Sequence, residues 1–151
     1  MIFFTVASNS LFPKPVGIPA QTLIRNLLQV THAMYGPAEA GDRVLLPISV
    51  HHIFGTLSMY AALLGGASVH SLAKYSGTDL AQAIATHRLT RVHLTTNMAQ
   101  LLLADTAEEQ LGVLSGAALN CVVIGGARFD PSLARLYKEK MPDVRIQQST
   151  I

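Results

Sequence analysis

Short apolar runs alternate with longer segments of helical period, and this alternation constrains the fold more than any other feature of the chain. The runs fall at Arg43 to Leu46, Ala67 to Leu72, Arg91 to Leu94, Asn120 to Ile124 and Val144 to Gln147. Between them the spacing predicts helices over Gln21 to Tyr35, His52 to Leu64, Thr78 to about His87, Thr96 to Ala104, and Asp130 to about Lys140. A polar loop is expected around Asp105 to Gln110. Continuous apolar strands separated by helices indicate βαβ units and a mostly parallel sheet buried on both faces. The expected fold is therefore α/β, with helices on both faces of the sheet, forming a single partial domain over residues 1–151. Leu23, Leu27, Leu28 and Val30 are expected as the core face of the first helix.

Half of the residues are apolar and only 13% are charged, a hydrophobic balance for a small free-standing domain. Apolar surface covered by another chain is the expectation. The net charge of +2 comes from 11 basic and 9 acidic residues scattered without a block, which gives nucleic-acid binding no support. A single cysteine, Cys121, excludes an internal disulfide and fits a reducing compartment. No apolar run reaches the roughly 18 to 20 residues needed to span a bilayer, and the Met-Ile-Phe-Phe start has no basic flank. A cytoplasmic location without a membrane span is expected. Gln148-Ser149-Thr150-Ile151 follows a strand directly, where a ligand loop belongs, so the end reads as a cut.

The N-terminal segment Phe4 to Val16 runs from an apolar strand through hydroxyl residues to Pro13-Lys14. Val16 to Ile18 is its return strand, because Pro13, Pro15 and Pro19 exclude a helix. A hydroxyl-rich turn ending in lysine is a way to cradle polyphosphate with backbone N–H groups and one cation. Glycine normally permits that close approach, and none occurs between Met1 and Val16. The expectation is a phosphate loop that hints at a nucleotide and holds it weakly or not at all.

Five segments in order resemble the adenylate-forming superfamily of acyl- and aryl-CoA synthetases, adenylation domains and luciferases. Val6 to Val16 matches its phosphate loop in length, and Ser10, Pro13, Lys14 and Val16 match in kind, whereas Ser8, Leu11 and Pro15 replace its glycines. Leu46-Pro47 with His52-Ile53-Phe54-Gly55 is similar to the stretch beside the acyl pocket. Ala62 to Val69 resembles the helix-to-strand turn, and Ala83 to Leu103 the pocket-lining helices and strand, with Thr96-Asn97 where the family has Pro-Thr. Val123 to Ala127 is similar to the Gly-Gly-Ala turn against adenine.

The resemblance implies the middle third of a larger enzyme that activates a carboxylic acid with ATP and Mg2+, then passes the acyl group from the adenylate to a thiol of CoA or a carrier protein. It implies nucleotide contacts from Ser10, Lys14, Gly125, Gly126 and Ala127, and a role for His52 on the acyl side. The metal-associated glutamate and the mobile C-terminal domain have no counterpart in this sequence, so no turnover is expected from the chain alone. The alternative is a degenerate α/β domain kept for interaction. A dinucleotide domain lacks support because G-x-G-x-x-G is absent. His32, His70, His87 and His93 are expected at the surface or at strand ends, Asp130 as an N-cap, and Cys121 as an inert core residue.

Overall fold

A computed structural model describes residues 2–6, 14–32, 37–72, 75–108, 111, 112, 114 and 118–149. Strands β1 (Ile2–Val6) and β2 (Lys14–Ile18) form an antiparallel ribbon, in register from Ile2 opposite Ile18 to Val6 opposite Lys14. β2 thus begins two residues before the expected Val16. Pro15 lies within it opposite Thr5, as a two-stranded ribbon with free edges tolerates.

The second sheet has five parallel strands, β3 (Arg43–Leu45), β4 (Ser68–His70), β5 (Arg91–Thr95), β6 (Cys121–Gly125) and β7 (Arg145–Ser149), in the order β4-β3-β5-β6-β7. From β3 the chain goes out to β4 and returns across β3 to β5. The carboxyl ends of β3 and β5 therefore flank a topological switch point, where open α/β sheets hold their ligands.

Helices α3 (Gly77–His87), α4 (Thr96–Asp105) and α5 (Pro131–Lys140) pack on one face. That interior contains Val92 and Leu94 of β5, Val122 and Ile124 of β6, Leu80 and Ile84 of α3, Leu102 of α4 and Tyr137 of α5. The Tyr137 hydroxyl donates to the Ala99 carbonyl at 2.8 Å, which satisfies the one polar atom that this large side chain brings inside. Cys121 is fully buried, as expected of an inert core residue.

On the opposite face α2 (Ile53–Leu64) lies against β3 and β4 through Val44, Ala62 and Ala67, and α1 (Ala20–His32) rests on α2 through Leu23, Leu27 and Leu57. Helices thus cover both faces, as expected, but unequally. Leu28 and Val30 are exposed rather than part of the core. Because α1 packs mainly on α2, the stripe carrying Leu23 and Leu27 is the part of it that is covered. Ile24, Leu63 and Leu64 on these two helices are exposed as well.

Boundaries shifted where a nearby side chain captured a helix end. Ser76, not Thr78-Asp79, caps α3 by accepting from the Asp79 amide at 3.0 Å. Asp130 caps α5 as expected, its carboxylate accepting from the Ser132 amide at 2.7 Å. β4 ends at His70, two residues short of Leu72. The expected helix end at Tyr35 and the expected loop residues Glu109 and Gln110 lie outside the described residues. Among the described residues, no helix is long and apolar enough to cross a membrane.

Candidate functional site

The loop from β3 to α2 is built to hold the start of α2 in one place. The His52 amide donates to the Ser49 carbonyl at 3.0 Å, and the Thr56 hydroxyl donates to the Val50 and His52 carbonyls. A Cβ on Gly55 would stand 2.2 Å from the Ser49 carbonyl oxygen, so glycine is what lets the loop close onto the helix. His52 is the N-cap, and its Nδ1 accepts from the Phe54 amide at 3.2 Å. The ring is exposed, and with Nδ1 committed to the helix, Nε2 is the nitrogen left for a ligand.

Gly125 and Gly126 differ in what they require. A Cβ on Gly125 would lie 3.0 Å from the Phe54 ring and 3.0 Å from the Ser149 carbonyl oxygen, so this glycine admits close packing of α2 and β7. Gly126 instead has φ +84°, with nothing within 4 Å of where its Cβ would be. It makes the left-handed turn and leaves open space above it. Thr96 ties this turn to α4, its hydroxyl donating to the Ala127 carbonyl at 3.3 Å. Through Phe54, the turn Gly125-Gly126-Ala127 and the cap His52 are brought to one edge of the sheet.

Below that edge a crevice of about 570 Å³ runs along the sheet face from Arg91, at the start of β5, to Ser149, at the end of β7. Val123 and Gln147 form its floor beside His93, and Ser58, Ala61 and Ala62 of α2 form one wall. Arg91 contributes through a paired charge. Its Nε lies 2.7 Å from Asp42, which also accepts from the Thr90 hydroxyl at 2.7 Å and the Glu39 amide at 3.0 Å. Burial opposes ionisation of Asp42, but these donors and the guanidinium outweigh it and hold its carboxyl below the ordinary value of 3.8.

His93 is a correction to the sequence reading. It sits in the middle of β5 rather than at the surface or a strand end, and its Nδ1 is buried without a hydrogen-bond partner. Burial, then the Arg91 charge, lowers its pKa from 6.5 to about 4, so the ring is neutral at pH 7. A signal for it was present: in Arg91-Val92-His93-Leu94-Thr95 polar and apolar residues alternate strictly, which marks a strand with one dry face and one polar face. Asp42 as partner of Arg91 had no such signal, being 49 residues away.

Ser10 lies outside the described residues, and Lys14 is described as the first residue of β2. Among the described residues, no three His, Cys, Asp or Glu side chains converge as a metal site.

An open parallel sheet with a glycine turn, a capped helix start and a crevice at one edge defines an α/β domain with a candidate site at its carboxyl edge. Residues 2–149 match the AMP-binding enzyme family, and the chain belongs to that family. The 2-succinylbenzoate–CoA ligase of Bacillus velezensis is 28% identical over 85 residues, covering 56% of this chain and 16% of the ligase. The N-terminal domain of FACL13 from Mycobacterium tuberculosis, solved with an inhibitor, superposes with a TM-score of 0.77 at 17% identity, covering 97% of this chain and 35% of that one. The o-succinylbenzoate-CoA synthetase MenE of Bacillus subtilis, solved with ATP and magnesium, superposes with a TM-score of 0.76 at 19% identity, covering 99% of this chain and 29% of MenE. These structures share the fold of this chain, which spans about a third of their length.

Proposed function

We propose that this chain is the carboxylate-binding and base-binding part of an AMP-forming acid–thiol ligase. The adenine of ATP or AMP rests on Gly126 and Ala127, the carboxylate lies at the edge near His52, and the acyl group fills the crevice. The thiol acceptor is that of CoA or a carrier protein. The observation that supports this most directly is the common edge shared by His52, the open Gly126 turn and a crevice large enough for a small organic acid.

When bound, ATP supplies the activated phosphate to which the carboxylate is joined. The chain's own part is to orient the acid and exclude water from one side of it. His52 donates from Nε2 to a carboxylate oxygen while Nδ1 holds the helix start. The open space over Gly126 fits a flat ring. Ser10 and Lys14 face the phosphates in this reading, and the missing glycines, together with Pro15, which removes an N–H, weaken the grip. Magnesium would accompany the ATP phosphates, since no three His, Cys, Asp or Glu side chains converge among the described residues. The residues that complete catalysis lie in segments outside this chain, which acts in the cytoplasm.

Calorimetric titration of the chain with AMP and with ATP tests this. AMP is expected to bind saturably, with ATP within about tenfold of it. Absence of AMP binding at millimolar concentration would overturn the proposal and leave the interaction-domain reading, which the exposed Ile24, Leu28, Leu63 and Leu64 favour. Carboxylate-dependent ATP–pyrophosphate exchange by the chain alone would contradict its catalytic incompleteness.

A further inference from the structure

Of the polar groups that line the crevice and that the proposed chemistry leaves unused, His93 is the one with a buried nitrogen lacking a hydrogen-bond partner. Nδ1 of His93 is sealed from water and has no hydrogen-bond partner among the described residues, and the ring lines the crevice. Because Nδ1 is the only buried unmet side-chain atom among the described residues, Nε2 is the nitrogen open to the crevice. The neutral ring carries a single N–H. Sealing that N–H away from any acceptor is the rarer and costlier arrangement, so the proton is assigned to Nε2. The crevice is thereby given a fixed hydrogen-bond donor, with the Phe54 ring centroid 6.4 Å from that of His93.

Two further features define what meets this donor. His93 lies two residues before Thr95, the last residue of β5, which places it roughly 7 Å below the edge where the carboxylate is activated. Among the described residues, the one guanidinium lining the crevice, that of Arg91, already pairs with Asp42 at 2.7 Å, so the described lining offers no unmatched cation to a second anionic group. A ligand carboxylate at this depth would lose water and gain only a neutral donor. A plain alkyl chain would leave the N–H unmet.

We infer that His93 is a specificity-determining residue whose Nε2–H donates to an uncharged oxygen, a hydroxyl or carbonyl, at the far end of the acid's acyl group. This rests on the proposed function, since it takes the crevice as the acyl pocket. The substrate class is then an acid oxygenated at its distal end.

The test is calorimetric binding of ω-hydroxyoctanoate and of nonanoate, equal in chain length, to the full chain, with ¹⁵N NMR of the His93 ring as a second readout. Wild type is expected to prefer the hydroxy acid by tenfold or more, with a shift at His93 Nε2. His93→Phe reverses the preference, and His93→Gln, which keeps an N–H, restores part of it. Equal affinities in wild type, or a preference that survives in His93→Phe, would overturn the inference while leaving the proposed function intact, since both acids still bind. If neither acid binds, the proposed function falls and the inference with it. Should His93→Phe fail to fold, the wild-type preference and the Nε2 shift decide the matter alone.

Discussion

Val92 and Leu94 of β5 are fully buried against α3 and α4, whereas Arg91 and His93, one residue out of phase on the same strand, line a crevice. The two faces of the sheet share a backbone and differ in cover. One face is covered by α3, α4 and α5, with Leu111 and Leu114 beside them, and is filled by side chains. The other meets α2, with α1 behind it, and keeps a space of about 570 Å³ over β5, β6 and β7. The packed face supplies stability and leaves the other face free to carry polar groups that a core would reject.

The largest expected effect sharpens this contrast on adjacent residues. Leu94→Ala opens a cavity in the packed face and should cost about 2–5 kcal/mol by urea unfolding. His93→Phe removes a buried unmet nitrogen and should change stability by less than about 1 kcal/mol. Equal costs at the two positions would break the division between the faces.

A smaller effect separates the faces by pH. Because the folded pKa of His93 is about 4 against an ordinary 6.5, the unfolded chain takes up the proton first. Stability therefore falls as pH drops below 6.5 and levels off below about 4, a loss of about 1–3 kcal/mol. His93→Phe should abolish this segment of the curve. Asp42 acts in a lower window: its carboxyl is held below 3.8 when folded, so its stabilisation is present above 3.8 and is lost as pH falls through the folded value. Asp42→Asn should flatten only that lower limb.

The smallest effect concerns the edge where the faces end. Gly126→Ala meets no steric neighbour but must adopt φ +84°, which should cost about 1–2 kcal/mol in thermal or chemical unfolding. A cost near zero would show that the turn relaxes easily and is not a fixed wall for a ring.

Local rules carried the element order. The N-cap at Asp130, the apolar strand Cys121–Gly125 and the helix Ile53–Leu64 follow from residues within a few positions of one another. The glycine turn and His52 were legible because each is a contiguous motif. The Gly125–Phe54 contact and the Arg91–Asp42 pair were not, because they join residues far apart in sequence that only strand pairing brings together. Leu28 and Val30 look like core by period, yet periodicity reports which residues share a face and not whether anything packs against it.

By itself the sequence determined that the chain alternates strands and helices, that its sheet is parallel, and where its turns bend, since these rest on side-chain period and backbone preference. Only the tertiary structure decided which face would be dry, which would keep a crevice, and that His93 would stand in it with its Nδ1 unmet among the described residues. Burial is a property of neighbours, and those neighbours come from strands and helices distant along the chain.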